Sequence, residues 1–360
     1  MEATLLGTIL PELSRTLTPG QSGTLASVQS IGLMAASLGA GPVLDRAGRK
    51  AGVLTGLTLV VAALLLLPHA ATYHLLIVVL ALLGLGGGVI STSTNTLASD
   101  LGGTNQAQMM NLLNCFFGLG GLATPALGAF LPTSTLALLI TGIAIGTMAL
   151  HATIPHARPA HAHRLDTAGL SGILGRPLFP LLALLLFLYV SAEIGVWNWF
   201  AVYLTGRGVP RGDALHILSF GFAAGIITGR FIAPRVLRRF RATSVTLGCS
   251  VLMSVSTLMM LQVSGTVMAG IAVFFAGLSM APVYPTTLSL VSVAFPRGTA
   301  TVIGIAVTVG WVGVAASSKI IGLIAGTDPS GLGRGLLVIP ACSVLMILVS
   351  LCIRRLLPKT

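Results

Sequence analysis

The sequence predicts an all-α membrane protein that crosses the bilayer many times. Of its 360 residues, 54% are hydrophobic and only 8% are charged, whereas soluble domains carry roughly 25% charged residues. Runs such as VLTGLTLVVAALLLLP and LLALLLFLYV are apolar enough to form helices that cross a hydrocarbon core, which takes about 20 residues. Because so little charge cannot cover a soluble surface of this size, we expect a polytopic membrane protein.

Breaks between the apolar runs divide the chain into about twelve predicted spans. These spans are 2–18, 22–44, 51–69, 73–99, 107–131, 133–152, 178–205, 212–234, 243–263, 266–293, 299–325 and 333–356. The long connection, rich in His, Pro, Gly and Arg, separates six spans from six. We therefore expect an N-terminal half over 1–152, a cytoplasmic linker over 153–177 and a C-terminal half over 178–360.

The net charge of +12 predicts orientation and not nucleic-acid binding, because the basic residues fall in short gaps between apolar runs. One side of the predicted membrane holds Arg46, Arg49, Lys50, Arg158, Arg164, Arg176, Arg230, Arg235, Arg238, Arg239, Arg241, Arg297, Arg354, Arg355 and Lys359. The other side holds only Arg15, Arg207, Arg211 and Arg334. The positive-inside rule places the heavy side, with both termini and the linker, in the cytoplasm. The expected location is the cell inner membrane.

The cysteines and histidines do not indicate a metal site or a disulfide framework. Cys115, Cys249, Cys342 and Cys352 all lie inside predicted spans and lack metal-ligand spacing. The linker histidines lie among Pro and Ala and not beside Cys or carboxylates. We expect no metal and no bound cofactor.

The two halves repeat a pattern in sequence. GAGPVLDRAGRK after the second span has a counterpart in GRFIAPRVLRRFR after the eighth, each leading from glycine into an Arg-rich turn. Paired halves with a substrate site between them are typical of secondary transporters. The sequence holds no GxxxxGK[ST] loop, as a nucleotide-driven pump would need.

The block GPVLDRAGRK resembles the loop signature G-x-x-x-D-R-x-G-R-[KR] of the major facilitator superfamily. The resemblance implies twelve transmembrane helices in two pseudo-symmetric six-helix halves, and a cytoplasmic gate at this loop. Asp45, Arg46 and Arg49 would then hold helix ends together, while Gly41 and Gly48 permit close helix approach and a tight turn. The alternative is an orientation signal on a solvated turn.

The stretch FLYVSAEIGVWNWFAVYLTGRG resembles the seventh helix of the fucose–galactose–glucose:proton symporter family, which carries E-x-x-x-x-N-W. Here those positions are Glu193, Asn198 and Trp199. The resemblance implies sugar uptake coupled to H⁺. One departure is that the fourth span has no acidic residue before Asp100, although the family's fucose transporters use an acid in that helix.

Two acidic residues are candidates for proton coupling. Glu193 lies near the middle of the seventh span, where ionisable groups usually face a cavity or a partner. Burial disfavours its charged form, which suits a group that takes up and releases a proton; the alternative is a carboxyl that fixes helix packing. Glu12, near the outer end of the first span, is the second candidate, with Arg15 as a possible local partner.

A sugar site needs a few polar side chains for hydroxyl groups and an aromatic face for the ring. The candidates are Gln29, Asn95, Asn111, Asn114, Trp197, Asn198, Trp199, Tyr284, Trp311 and Lys319. The amides have an alternative role as contacts between helices, and the tryptophans one as interfacial anchors. Lys319 has three options, namely pairing with Glu193, binding an anionic substrate group, or reaching the outer surface.

Together these patterns predict a monomeric secondary transporter, and not an enzyme, that moves a small molecule across a lipid bilayer by alternating access, with H⁺ as the coupling ion. A neutral sugar is the favoured substrate. A proton antiporter exporting hydrophobic compounds is one alternative, because GLGGLATPALGAF partly resembles the span-5 motif of such antiporters, with Thr124 in place of glycine. An organic-anion carrier using Lys319 is the other.

Overall fold

The computed structural model describes residues 2–102, 106–154, 175–262, 265–295, 299–326 and 331–357. Within these ranges the chain is almost entirely helical and contains no β-strand. Nine stretches of the described residues are long and apolar enough to cross a membrane, and Thr4–Leu13 and Phe116–Phe130 are shorter apolar helices. The predicted all-α polytopic fold is confirmed.

The helices of the N-terminal half are α1 Glu2–Leu13, α2 Pro19–Ala47, α3 Arg49–Leu66, α4 Tyr73–Gly102, α5 Gln106–Phe130 and α6 Thr133–Thr153. Those of the C-terminal half are α7 Leu178–Gly206, α8 Arg211–Leu237, α9 Ala242–Gln262, α10 in two pieces (Thr266–Met280 and Val283–Ala294), α11 Thr299–Ala325 and α12 Leu332–Leu356. A π-helical segment, Ile217–Ala223, lies within α8, and α10 is interrupted at Ala281 and Pro282.

The first predicted span is five residues too long at its C-terminal end, since α1 ends at Leu13 and not at residue 18. Thr18 and Gln21 form a capping box that starts α2. The Thr18 N–H donates to Gln21 Oε1 at 2.9 Å, and the Gln21 N–H donates to Thr18 Oγ1 at 3.2 Å. Pro19 follows at the first helical position, where its missing N–H costs nothing. The sequence T-P-G-Q is therefore a recognisable signal for the start of α2.

Successive helices run in opposite directions, so the bundle has two ends. We call one the basic end: its described turns include Gly48, residues 175–177 and residues 238–241, and it holds Arg238, Arg239 and Arg241. The opposite end holds the turns at 14–18, 67–72, 131–132 and 207–210.

Glycines set the closest packing inside each half. An alanine Cβ at Gly84 of α4 would overlap the backbone oxygen of Gln29 in α2. In the C-terminal half, a Cβ at Gly277 of α10 would overlap the backbone oxygen of Phe222 in α8. The second and fourth helices of each half thus pack in the same way, because a glycine on the fourth helix lets the two backbones come into contact.

Among the described residues, close backbone contacts join the two halves toward the opposite end. A Cβ at Gly7 of α1 would overlap the backbone oxygen of Trp197 in α7. A Cβ at Gly23 of α2 would lie 2.6 Å from the Ser318 oxygen of α11, and Ser27 Oγ donates to the Ala315 oxygen at 2.8 Å. These backbone-level contacts close the bundle on that side.

Candidate substrate cleft between the two halves

A narrow cleft lies between α5 of the N-terminal half and α7 and α8 of the C-terminal half. It holds about 220 Å³ of empty space, including its open mouth, but has room for only about one water molecule. Its lining residues are Phe117, Gly118, Gly121, Glu193, Trp197, Ala223, Ile226 and Arg230. Most of this lining is apolar, with one acid and one base as its charged groups.

Glu193 is half-buried in this cleft and has partners on its own and neighbouring helices. The hydroxyl of Tyr189 lies close enough to its carboxylate for the two groups to interact. Tyr284 of α10 lies close enough to interact electrostatically with Glu193, and Arg230 of α8 with both tyrosines. The rings of Tyr189 and Tyr284 are 6.2 Å apart between centroids.

Helical spacing explains why these groups share one face of α7. Tyr189, Glu193 and Trp197 follow one another at intervals of four residues, so they stack along the helix.

Trp197 forms the wall of the cleft toward the opposite end. Its ring meets Phe222 edge-on, with centroids 5.0 Å apart. On the other side lies Gly121 of α5, where an added Cβ would be 3.2 Å from Trp197 Cη2. An added Cβ at Gly118, one turn earlier, would lie 3.7 Å from Arg230 Nη1. The glycines of the GLGGLATPALGAF segment therefore let α5 approach an indole and a guanidinium.

Arg230, counted among the basic residues of the cytoplasmic side, lies inside the eighth predicted span, 212–234. It lies within α8, seven positions before the helix ends at Leu237, and lines the cleft beside Glu193. Its neighbours Phe231 and Ile232 are apolar and exposed, 63% and 44% accessible, as is expected of a helix surface that faces lipid.

Asn198 and Trp199 point away from the cleft lining. Asn198 is buried and its Nδ2 donates to Ser318 Oγ at 3.2 Å, so it joins α7 to α11. Trp199 is 1% exposed and its indole N–H has no hydrogen-bond partner. Such burial leaves no membrane-interface role for Trp199 in this conformation.

The remaining predicted sugar contacts are spread over several helices. Gln29 is buried on α2, where its backbone packs on Gly84. Asn95 is exposed and its Nδ2 donates to the Ser91 oxygen of its own helix at 2.8 Å. Trp311 is partly buried against the core. The side chains of Asn111 and Asn114 lie outside the part of the chain that the structure describes in full.

Lys319 lies at the contact of α11 with α2, and its Nζ donates to Thr24 Oγ1 at 2.6 Å. It is not among the residues that line the cleft with Glu193. Glu12 is 47% exposed and pairs with Arg211, with 3.6 Å between Arg211 Nη2 and Glu12 Oε2. The expected local partner, Arg15, is replaced by a residue from the other half of the chain.

The predicted gate is described only in part. The side chains of Gly41, Asp45, Arg46 and Arg49 lie outside the described positions. Gly48 separates α2 from α3 with a φ of 86°, a conformation that favours glycine. The neighbouring Lys50 donates to the oxygens of Ala152 at 2.6 Å and Ile154 at 3.2 Å, at the C-terminal end of α6.

A family model described as "Major Facilitator Superfamily" matches residues 1–318. The chain belongs to this superfamily. It is a membrane transporter, and the resemblance stated for the GPVLDRAGRK block is confirmed. Comparison with the curated proteins gives no match.

Solved structures of the same fold are similar over nearly the whole chain. A D-xylose-proton symporter has a TM-score of 0.79 at 15% identity, covering 99% of this chain and 94% of its own. The nucleoside transporter NupG has a TM-score of 0.80 at 14% identity, covering 98% and 95%. The E. coli fucose:proton symporter FucP has a TM-score of 0.64 at 20% identity, also covering 98% and 95%.

Proposed function

We propose that this transporter takes up a neutral sugar or a similar polyhydroxy solute together with H⁺, and that Glu193 links protonation to substrate binding. The observation that carries the proposal is the cluster of Glu193, Tyr189, Arg230 and Tyr284 at a cleft between the halves. We propose H⁺ as the coupling ion and no bound cofactor. We further propose a monomer in the cell inner membrane with the basic end in the cytoplasm.

The cluster supports coupling because its donors have two possible partners. While Glu193 is ionised, its carboxylate attracts the Tyr189 hydroxyl, and it lines the cleft together with Arg230. A proton on Glu193 removes that negative charge, so the hydroxyl and guanidinium become available to substrate hydroxyl groups. Since the cleft has room for about one water, substrate entry requires the halves to part. Binding and protonation would then both favour the same rearrangement.

The similar solved structures also support a polyhydroxy substrate. Two are described as sugar–proton symporters and one as a nucleoside transporter, and xylose, fucose and nucleosides all carry several hydroxyl groups on a ring. In the cleft, Trp197 provides an aromatic surface beside polar side chains, which suits a ring with hydroxyl edges.

An organic-anion carrier is a second candidate because Arg230 lines the cleft. A guanidinium can bind a carboxylate or phosphate through two parallel hydrogen bonds. This candidate uses Arg230 in place of Lys319, which contacts Thr24 at the α2–α11 interface. No described feature specifically favours the exporter, which needs a wide apolar cavity.

Thermal stabilisation of the purified protein against a panel of sugars, organic acids and lipophilic cations tests the proposal. A ligand at one hundred times its Kd stabilises the folded state by about 2.7 kcal/mol. We expect a sugar to raise the Tm of the wild type in a pH-dependent way. The Glu193→Gln variant should bind with no pH dependence, because its side chain cannot ionise.

Asp213→Asn is the matched control, since it also converts an acid to an amide but lies exposed at the start of α8. It should behave as the wild type does. Sugar binding whose pH dependence survives in Glu193→Gln would remove Glu193 from the coupling mechanism. Stabilisation by organic acids alone, lost in Arg230→Gln, would support the anion carrier instead. Stabilisation by lipophilic cations alone would indicate the exporter.

A further inference from the structure

A cluster of polar groups joins the two halves at the opposite end of the bundle. Arg211, the first residue of α8, donates from Nη1 to the backbone oxygen of Gly128 in α5 at 2.8 Å. Its Nη2 lies 3.6 Å from Glu12 Oε2 in α1. The hydroxyl of Thr133, which begins α6, donates to the same carboxylate oxygen. One side chain of the C-terminal half thus contacts α1 and α5, and through Glu12 it is linked to α6.

The Gly128 oxygen is available because of the residue four positions later. In a helix that oxygen would accept the N–H of residue 132, but residue 132 is proline and has no N–H. The carbonyls at the C-terminal end of a helix also carry partial negative charge, which attracts a cation. The Gly128 oxygen in the last turn of α5 is therefore available to accept a hydrogen bond from a guanidinium.

The position of Arg211 on its own helix is unfavourable. The N-terminal end of a helix carries partial positive charge, so a cation there is repelled by the helix that bears it. The N-terminal half supplies the compensating charge through Glu12 and the Gly128 oxygen. Arg211 is thus stabilised by contact with the other half and not by its own helix.

We propose that Glu12, Gly128, Thr133 and Arg211 form a latch that holds the two halves together at the opposite end and releases when that end opens. The latch is suited to release because it is incompletely satisfied. Nε and Nη2 of Arg211 are buried without a hydrogen-bond partner, although the side chain as a whole is 20% exposed. Parting the halves lets water reach those donors, which offsets the loss of the latch contacts.

The latch goes beyond the proposed function, because it controls the conformation of the transporter whatever solute the cleft binds. It also gives Glu12 a role different from proton coupling. Glu12 lies on α1 with its partners at the end of the bundle, whereas the cleft is lined by α5, α7 and α8.

Distances between spin labels at Thr16→Cys and Thr266→Cys test the latch in lipid nanodiscs. Both positions are exposed at the opposite end, one in each half, and the native cysteines are first replaced. Breaking the latch should raise the population with the longer distance. Glu12→Gln should change the ratio of open to closed populations about two- to fivefold, as for a partly exposed ion pair. Arg211→Gln should change it about tenfold or more, since the bond to the Gly128 oxygen is lost as well.

The control is Arg207→Gln, because the described hydrogen bonds of Arg207 go to the Tyr203 hydroxyl and the Leu261 oxygen, within the C-terminal half. It should leave the distances unchanged. The double variant Glu12→Gln/Arg211→Gln should match Arg211→Gln alone, since both changes break one interaction. The proposal is overturned if properly folded variants, judged by an unchanged elution profile and far-UV spectrum, keep the wild-type distance distribution. Equal shifts in the Arg207→Gln control would overturn it as well.

Discussion

The charged groups of the cleft and the tyrosines beside them all come from the C-terminal half, in the part of the chain that the structure describes. Glu193 and Tyr189 lie on α7, Arg230 on α8 and Tyr284 on α10. The N-terminal half supplies an apolar wall from α5, including Phe117. The proposed proton chemistry is therefore built on one half, while the other half moves against it.

Asn198 tests whether an amide in α7 serves packing or substrate binding. Its hydrogen bond to Ser318 joins two helices within the membrane, where such bonds contribute about 0.6 kcal/mol on average. A double-mutant cycle of Asn198→Ala and Ser318→Ala should give a coupling free energy of about that size, measured by unfolding in mixed micelles. Sugar affinity should not change.

The matched control for this cycle is Asn95→Ala, because the described hydrogen bonds of Asn95 go to Ser91 of its own helix. It should show no coupling to Ser318. A loss of sugar binding in Asn198→Ala at unchanged stability would instead make Asn198 a substrate contact.

Sequence reasoning found Glu193 but not Arg230, for a physical reason. A single acid inside an apolar run stands out, because burying it without a partner is expensive. Arg230 is followed closely by Arg235, Arg238 and Arg239, so it reads as the start of a basic turn. Glu193 lies 37 positions away in sequence, and only the packing of α7 against α8 brings both residues to the cleft.

At the scale of helices, close packing depends on glycines, because the backbone of a neighbouring helix occupies the space that a side chain would need. Gly84→Ala places a methyl group into the backbone oxygen of Gln29, so α2 and α4 must separate. We expect a loss of about 1–3 kcal/mol in the free energy of unfolding, the usual cost of overpacking. The measurement is the Tm of the purified variant.

Gly142→Ala provides the comparison, because nothing lies within 4 Å of the added Cβ on α6. The better helix propensity of alanine should leave that variant as stable as the wild type, or more stable. Equal melting temperatures for the two variants would show that the α2–α4 contact is looser than described.

Helix ends were predicted less well than helix existence. Apolar length gives each span, but its limits depend on hydrogen bonds between specific side chains and backbone groups. The capping box of Thr18 and Gln21 is local and readable. The π-helical segment of α8 is not, since its Ser219 hydroxyl donates to the Leu122 oxygen of α5 in the other half. Such tertiary contacts leave no periodic signal.

For the whole molecule, composition was enough to predict the membrane fold, and the GPVLDRAGRK block was enough to indicate the superfamily. The locations of Glu12, Lys319 and Asn198 at contacts between helices could not be predicted in the same way. A span pattern fixes depth in the membrane but not rotation about the helix axis, and rotation decides which side chains line a cleft.

The proposed orientation can be measured with single cysteines in a background without the native ones. Phe240→Cys lies exposed in the turn between α8 and α9 at the basic end, and Thr266→Cys lies exposed at the opposite end. Neither change alters a charge, so the distribution of Lys and Arg that sets orientation is kept. A membrane-impermeant maleimide should label Thr266→Cys on intact spheroplasts, and Phe240→Cys only in inverted vesicles. The reverse pattern would invert the proposed topology.

The bond from Lys50 to the end of α6 has a mechanical consequence. Its ammonium group binds the oxygens of Ala152 and Ile154, where the chain leaves the N-terminal half for the segment predicted as the linker. The exit point is thereby tied to α3, two residues after the turn at Gly48. A displacement of the C-terminal end of α6 would therefore be transmitted directly to the first turn of α3 and to the turn at Gly48.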